Sequence, residues 1–248
     1  MLEALKDILT ARGWDTWARP LLKRLMGRSE DPYDRQTFEI IEQNLRDDCL
    51  CIDIGCHRGL ILDAMIRRCP AGTFYGFEPI PRLSALLRKK YASNSRVTIS
   101  DLALSSKDGD AAFFVDSVPG WSGFQRRTSD GRPRSGHEIR VKTARLDDVL
   151  PNARPDIIKI DVEGAELQVM LGARQMITQA RPLIVFEHSI GGAPLFGDKP
   201  EDVFDFLESC GLRISLLADF LAGRPSLSRA EFCRQHYEDL TWNFLAHV

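Results

Sequence analysis

The sequence predicts a doubly wound α/β fold, a seven-stranded and mostly parallel sheet with helices on both faces, on three observations. From Cys49 onward, short apolar runs alternate with helical stretches, the pattern of parallel strands joined by right-handed crossovers. The first run ends in Asp53-Ile54-Gly55, an acid and a glycine turn leading into a helix, as at the ligand-binding edge of such sheets. The second ends in Phe77-Glu78-Pro79, with an acid about 20 positions beyond that turn, where doubly wound nucleotide binders hold a ribose.

Taken in chain order, residues 1–48 read as an N-terminal helical extension, with apolar residues at helical spacing over 2–12, 20–26 and 32–45. Trp14, Trp17, Lys23, Arg24 and Arg28 make part of it basic and aromatic, a composition that also suits a membrane surface. The amphipathic pattern predicts a cap docked on the domain that follows. That domain, 49–248, should place strands at 50–54, 73–77, 97–102, 157–160, 183–186, 212–217 and 241–246. Residues 111–115 and 138–143 read as an added antiparallel pair. Between them, 116–137 is rich in Gly, Ser and Arg and reads as a long binding loop. A second helical insertion is expected at 219–239, with Phe220, Phe232 and Tyr237 serving as core or lid.

A length of 248 residues suits one α/β core with an extension. Hydrophobic content of 44%, charged content of 27% and a formal net charge of -2 exclude disordered and collagen-like classes. With no global basic field, nucleic acid is not expected as a partner. No run approaches the roughly 20 apolar residues of a membrane span, and no secretory leader is evident, so a cytoplasmic location is expected. Cys49, Cys51, Cys56, Cys69, Cys210 and Cys233 show no paired metal-ligand spacing. Buried thiols are therefore expected in place of a zinc site.

The chemistry-bearing residues sit at strand ends. In Asp53-Ile54-Gly55-Cys56-His57-Arg58-Gly59, glycine lets a ligand approach the backbone, and the helix that follows offers free N–H groups to an anionic group. Asp53 adds a negative charge that suits a ligand carrying an ammonium and a sulfonium. Gly55, His57 and Gly59 complete this candidate cofactor turn. Glu78, followed by Pro79, can accept both ribose hydroxyl protons; it could equally act as a first-turn acid of the helix 81–90. Asp101 and Ala103, after the third strand, are placed to meet an adenine. The run Lys159-Ile160-Asp161-Val162-Glu163-Gly164-Ala165-Glu166 releases three acids at a carboxyl edge, where they require a cation, donors or solvent.

With these residues in hand, the sequence resembles the FkbM-type methyltransferases, a branch of the Rossmann-like class I S-adenosylmethionine-dependent enzymes. The match is carried by IDIG-x3-G, FEP, DLALS, R-LDDVL, D-IKIDVEGAE and RPLIVFEH, from about Cys49 to the C-terminus. The resemblance implies S-adenosylmethionine as cofactor, held by Asp53, Gly55, Glu78, Asp101 and Ala103, with Asp161 and Glu163 near the transferred methyl. It also implies a seventh strand, 241–246, antiparallel to its neighbours, and an oxygen acceptor on a sugar, glycan precursor or natural product. The first loop departs from the family in carrying Cys56-His57-Arg58. Trp121 and Ser122 match the family's substrate-side segment only loosely.

A protonated hydroxyl is a poor nucleophile, so a base at the strand edge would help, and Glu163, Glu187 and His188 are the candidates. Asp161 completes the candidate catalytic set, while Trp121, Ser122, Glu163, Glu187 and His188 are the candidate substrate contacts. The same acids could hold Mg²⁺, although the sequence shows no ligand geometry and no metal is assigned. Arg126, Arg127, Arg132, Arg134 and His137 could clamp an anionic acceptor. A homo-oligomer is a further possibility. Two rival readings remain: a nicotinamide-dependent oxidoreductase, against which the D-x-G-x3-G turn argues, and a non-catalytic cofactor-binding protein, against which the retained acids argue.

Overall fold

The computed structural model describes residues 31–116, 122–125, 128–129, 132–133 and 135–248. Helix α1 (Pro32–Asn44) starts where Asp31 caps it, its carboxylate accepting from the Tyr33 N–H at 2.8 Å, with proline in the first turn. Its Thr37, Ile40 and Ile41 are buried, and it packs on α2 (Leu60–Arg68). Strands β1 (Leu50–Ile54) and β2 (Thr73–Phe77) have the predicted bounds. After α3 (Pro81–Lys90), β3 (Val97–Ser100) stops two residues short of its expected end, because the Ser100 hydroxyl accepts from the Leu102 N–H and turns the chain.

A second, three-stranded sheet is built from β4 (Ala103–Leu104), β5 (Gly109–Asp116) and β8 (Gly136–Ala144), and contains the expected antiparallel pair. Between them, β6 (Thr128–Ser129) pairs with β7 (Arg132–Pro133). The short α4 (Leu146–Val149) leads to β9 (Ile157–Ile160), then α5 (Glu166–Gly172) and α6 (Arg174–Ala180). The chain ends through β10 (Leu183–Glu187), α7 (Pro200–Ser209), β11 (Arg213–Leu216), α8 (Leu217–Leu221), α9 (Arg229–Tyr237) and β12 (Asn243–His247). Phe232 of the expected insertion is fully buried, whereas Tyr237 is exposed.

The main sheet has the order β11-β12-β10-β9-β1-β2-β3, and β12 runs antiparallel to both its neighbours. Residues alternate between the faces with a period of two. One face carries Ile52, Ile54, Ile158, Ile160, Phe186 and Phe244 against α5, α7 and α9. The other carries Cys51, Phe74, Ile157, Val185 and Leu245 in a cluster that includes residues of α1 and α2. Register brings Asp53 beside Gly76 and Lys159, and Glu187 beside Asn243. The second face therefore turns from apolar to charged at the carboxyl edge.

Among the described residues, no helix is long and apolar enough to cross a membrane. All six cysteines are free and buried.

Candidate functional site

A cavity of about 360 Å³ opens where that face turns polar, and its floor is the turn after β1. The Gly55 and Cys56 N–H groups both donate to the Phe77 carbonyl, at 2.9 and 3.1 Å. Gly55 has φ 79°, and a Cβ there would collide with the Asp161 carbonyl, so the turn requires glycine on two counts. His57, with φ 50°, aims its N–H at Glu78 Oε2 (2.8 Å), and the Ile80 N–H reaches Oε1 (3.0 Å). Glu78 is 4% exposed, and burial pushes its carboxyl up to about 7 against the pull of these two donors.

Asp53 is 1% exposed, and its Oδ1 has no hydrogen-bond partner among the described residues. Burial raises its pKa, opposed first by the Lys159 ammonium 3.9 Å away. Lys159 Nζ donates to Asp161 Oδ2 at 2.9 Å and to the Gly55 carbonyl at 3.3 Å. Burial alone would lower the lysine pKa, but Asp161 and then Asp53 outweigh it and hold the ammonium charged. The ring nitrogen Nε2 of His57 is a second buried polar atom without a partner among the described residues. Burial, followed by Arg58 and Lys159, depresses that imidazole and keeps it neutral.

The loop after β9 brings Asp161, Val162 and Glu163 to the cavity wall. Glu163 has φ 62° and Gly164 φ 110°, and a side chain at Gly164 would strike the backbone of Gly192. A left-handed glutamate at a ligand-facing position is strain of the kind that surrounding structure must hold in place. Glu166 supplies that hold: its Oε1 accepts from the N–H groups of Val162 (3.1 Å) and Gly164 (3.0 Å). Burial, then the Glu187 carboxylate, raises Glu166 to about 8, which marks it as a neutral loop brace set apart from the cavity acids.

Strand alternation corrects the expectation for His188. Val185 and Glu187 face the cavity, so Phe186 and His188 point to the opposite face. The His188 ring is 1% exposed and stacks on His236 (4.5 Å between centroids) and Phe232 (6.0 Å). Burial, then His236, drive its pKa down to about 3, so it neither reaches an acceptor nor carries protons near neutrality. Asp101 is likewise displaced from the adenine role: it is exposed, pairs with Arg88 at 3.2 Å and lies off the cavity wall, to which Leu102, Ala103 and Leu104 contribute instead.

Gly59 is absent from the wall too. It opens α2 with φ 75°, and its carbonyl accepts from the Tyr91 hydroxyl. Pro79 and Ser122 do line the cavity, and the Ser122 hydroxyl accepts the Asp116 N–H at 3.0 Å. Trp121, the side chains of Arg126, Arg127, Arg132 and Arg134, and residues 1–30 lie outside the described residues.

Sequence reasoning passed over Lys159, Tyr33, Trp242 and Asn243, all of which line the cavity. Lys159 had a visible signal, a lone cation inside an apolar strand two residues before Asp161. The others are brought in by α1 and by the start of β12, and carry no local motif. Among the described residues, no three His, Cys, Asp or Glu side chains are grouped as a metal site.

The sheet order and the acid-lined cleft at its carboxyl edge define a Rossmann-like domain of the methyltransferase class. The chain belongs to the FkbM methyltransferase domain family, whose model matches residues 53–214. It is 29% identical over 161 residues to the 2-O-methyltransferase NoeI of Sinorhizobium fredii, a match covering 59% of this chain and 65% of that protein. The matched part thus spans just under two thirds of that relative. Against the hexuronic acid methyltransferase AglP of Haloferax volcanii it is 26% identical over 200 residues, covering 77% of each. The fold is shared with a solved FkbM methyltransferase of Methylobacillus flagellatus, with TM-score 0.54 at 16% identity over 88% of this chain and 48% of that one.

Proposed function

We propose that the chain is an S-adenosylmethionine-dependent methyltransferase that methylates a hydroxyl of a sugar, glycan precursor or related small molecule. The observation that carries this reading is the buried pair of Asp53, with an oxygen lacking a partner among the described residues, and Glu78, held by two N–H donors, on one cavity wall. Each Glu78 oxygen keeps a lone pair for a ribose hydroxyl. Asp53 Oδ1 suits an ammonium, the neutral His57 ring can donate a hydrogen bond, and Ile80 with Leu102–Leu104 offers apolar walls to a flat base.

S-adenosylmethionine supplies a methyl carbon already activated by its sulfonium. What the chain must add is position, exclusion of water and a route for the acceptor proton. Lys159 donates to both the Asp161 carboxylate and the Gly55 carbonyl and so ties Asp161 to the Gly55 turn. Glu163 and Glu187 face the same cavity, where either carboxylate can receive the hydroxyl proton. We assign that role to Glu163, whose backbone is held in a left-handed conformation at the wall; general base catalysis contributes roughly 100- to 10,000-fold.

The test is transfer of a labelled methyl group from S-adenosylmethionine to a panel of methyl hexopyranosides and nucleotide-linked sugars. Label on an oxygen of one of them, reduced at least about 100-fold in Glu163→Gln, is the expected result. Full turnover in Glu163→Gln would remove Glu163 as base. Label found on nitrogen or carbon would overturn the acceptor assignment.

A further inference from the structure

We infer that Tyr33 and Trp242 form the acceptor platform, a two-ring corner on which a pyranose ring lies, with the Asn243 amide addressing its hydroxyls. This rests on the methyltransferase reading and adds to it the residues that receive the substrate.

The inference starts from the order of residues along the cavity. Across the sheet, β2, β1, β9, β10 and β12 present Glu78, Gly55, Asp161, Glu187 and Asn243 at successive positions of one face. Four strand spacings of about 4.8 Å separate the first from the last, roughly 19 Å. A nucleoside held at Glu78 occupies one end of that row and leaves the other for the acceptor. At this far end stand Trp242 and Tyr33, with ring centroids 5.2 Å apart and planes tilted by 59°.

Both rings are held by rigid elements. Tyr33 sits in the first turn of α1, and its hydroxyl is engaged with Thr241 Oγ1 at 3.0 Å, so it offers the cavity its ring. Trp242 precedes β12, and its carbonyl accepts the His188 N–H at 2.7 Å. Even so, the indole lines the cavity and remains 40% exposed. A large amphipathic ring fixed at a cavity mouth is a ready contact surface of low entropic cost.

The tilt favours one ligand shape. A chair-shaped pyranose presents C–H groups in two directions and can lie against both rings of the corner, whereas a flat ring can stack on only one of them. The Asn243 amide, beside Glu187 in the strand register, supplies a donor and an acceptor for ring hydroxyls.

The experiment is saturation-transfer NMR on the full chain saturated with S-adenosylhomocysteine. The probes are the methyl glycosides of glucose, galactose, mannose and glucuronic acid, with phenol as the flat-ring comparison. The expected result is saturation of the ring protons of at least one glycoside. Its affinity should fall about tenfold or more in Trp242→Ala and be largely kept in Trp242→Phe, as for an anchoring aromatic, with S-adenosylhomocysteine affinity unchanged in both.

S-adenosylhomocysteine binding with no glycoside saturated, phenol binding in their place, or glycoside affinity unchanged in Trp242→Ala would each overturn the platform while leaving the cofactor reading intact. Failure of S-adenosylhomocysteine to bind the unaltered chain would remove that reading and the platform with it.

Discussion

Replacing Lys159 by methionine keeps most of the side-chain volume and removes one charge from between Asp53 and Asp161. The ammonium is 2.9 Å from Asp161 and 3.9 Å from Asp53. Breaking a buried ion pair by deleting one partner costs roughly 3–5 kcal/mol. The Asp161 side chain is 40% exposed, so water screens its share, and Asp53 at 1% carries most of the loss. A deficit of about 2–3 kcal/mol at pH 8 follows, or about 5–10 °C in Tm for a domain of this size.

The deficit depends on pH with a definite sign. Burial already raises the Asp53 pKa, and without Lys159 opposing it the pKa rises further. A carboxyl that titrates higher in the folded than in the unfolded chain favours folding at low pH and loses that contribution as pH rises through its folded value. Thermal melts of Lys159→Met and the unaltered chain should therefore differ most at pH 8 and least at pH 5. Equal deficits at both pH values would mean that packing, and not charge, was lost. No deficit at pH 8 would refute the charge-pair account outright.

Glu78 titrates near 7, and ribose hydroxyls require its ionised form, so cofactor affinity should be about tenfold weaker at pH 6 than at pH 8. Calorimetry at the two pH values checks this, and the dependence should vanish in Glu78→Gln. His188, depressed to about 3 by burial, must be neutral to fold, so its contribution falls away as pH drops below the ordinary histidine range. From pH 7 to pH 5 the chain should lose about 2 kcal/mol through this ring. His188→Phe should flatten that part of the pH profile without changing S-adenosylhomocysteine affinity, and a lost methyl-transfer rate at unchanged stability would restore the catalytic role withdrawn above. Gly55→Ala, which sets a methyl group against the Asp161 carbonyl at positive φ, should abolish cofactor binding and cost roughly 1–3 kcal/mol of stability by chemical denaturation.

The sheet and one end of the site were legible because both are local in sequence. Strands β1, β2 and β9 have the expected bounds, since each is an apolar run closed by a turn signal, and Asp53, Gly55 and Glu78 follow from where those strands end. The period of two already separates Glu187 from His188 once Val185 is placed facing the cavity; reading the pair as a chemical motif concealed that. Asp101 was misplaced for a different reason. Its pairing with Arg88 depends on how α3 packs beside β3, and no spacing rule shows that. Tyr33 and Trp242 were invisible for the same kind of reason: the Tyr33 hydroxyl and its partner Thr241 are 208 positions apart, and only docking of α1 against the start of β12 makes them neighbours.

The central claim is that Asp53 and Glu78 frame a site for S-adenosylmethionine. Calorimetric titration of the chain with S-adenosylmethionine, S-adenosylhomocysteine and NAD, repeated on Glu78→Ala, tests it most directly. Micromolar binding of the first two, none of NAD and at least about tenfold weaker binding in the variant is the predicted outcome. Preference for NAD, or S-adenosylhomocysteine affinity unaltered by the loss of Glu78, would contradict it.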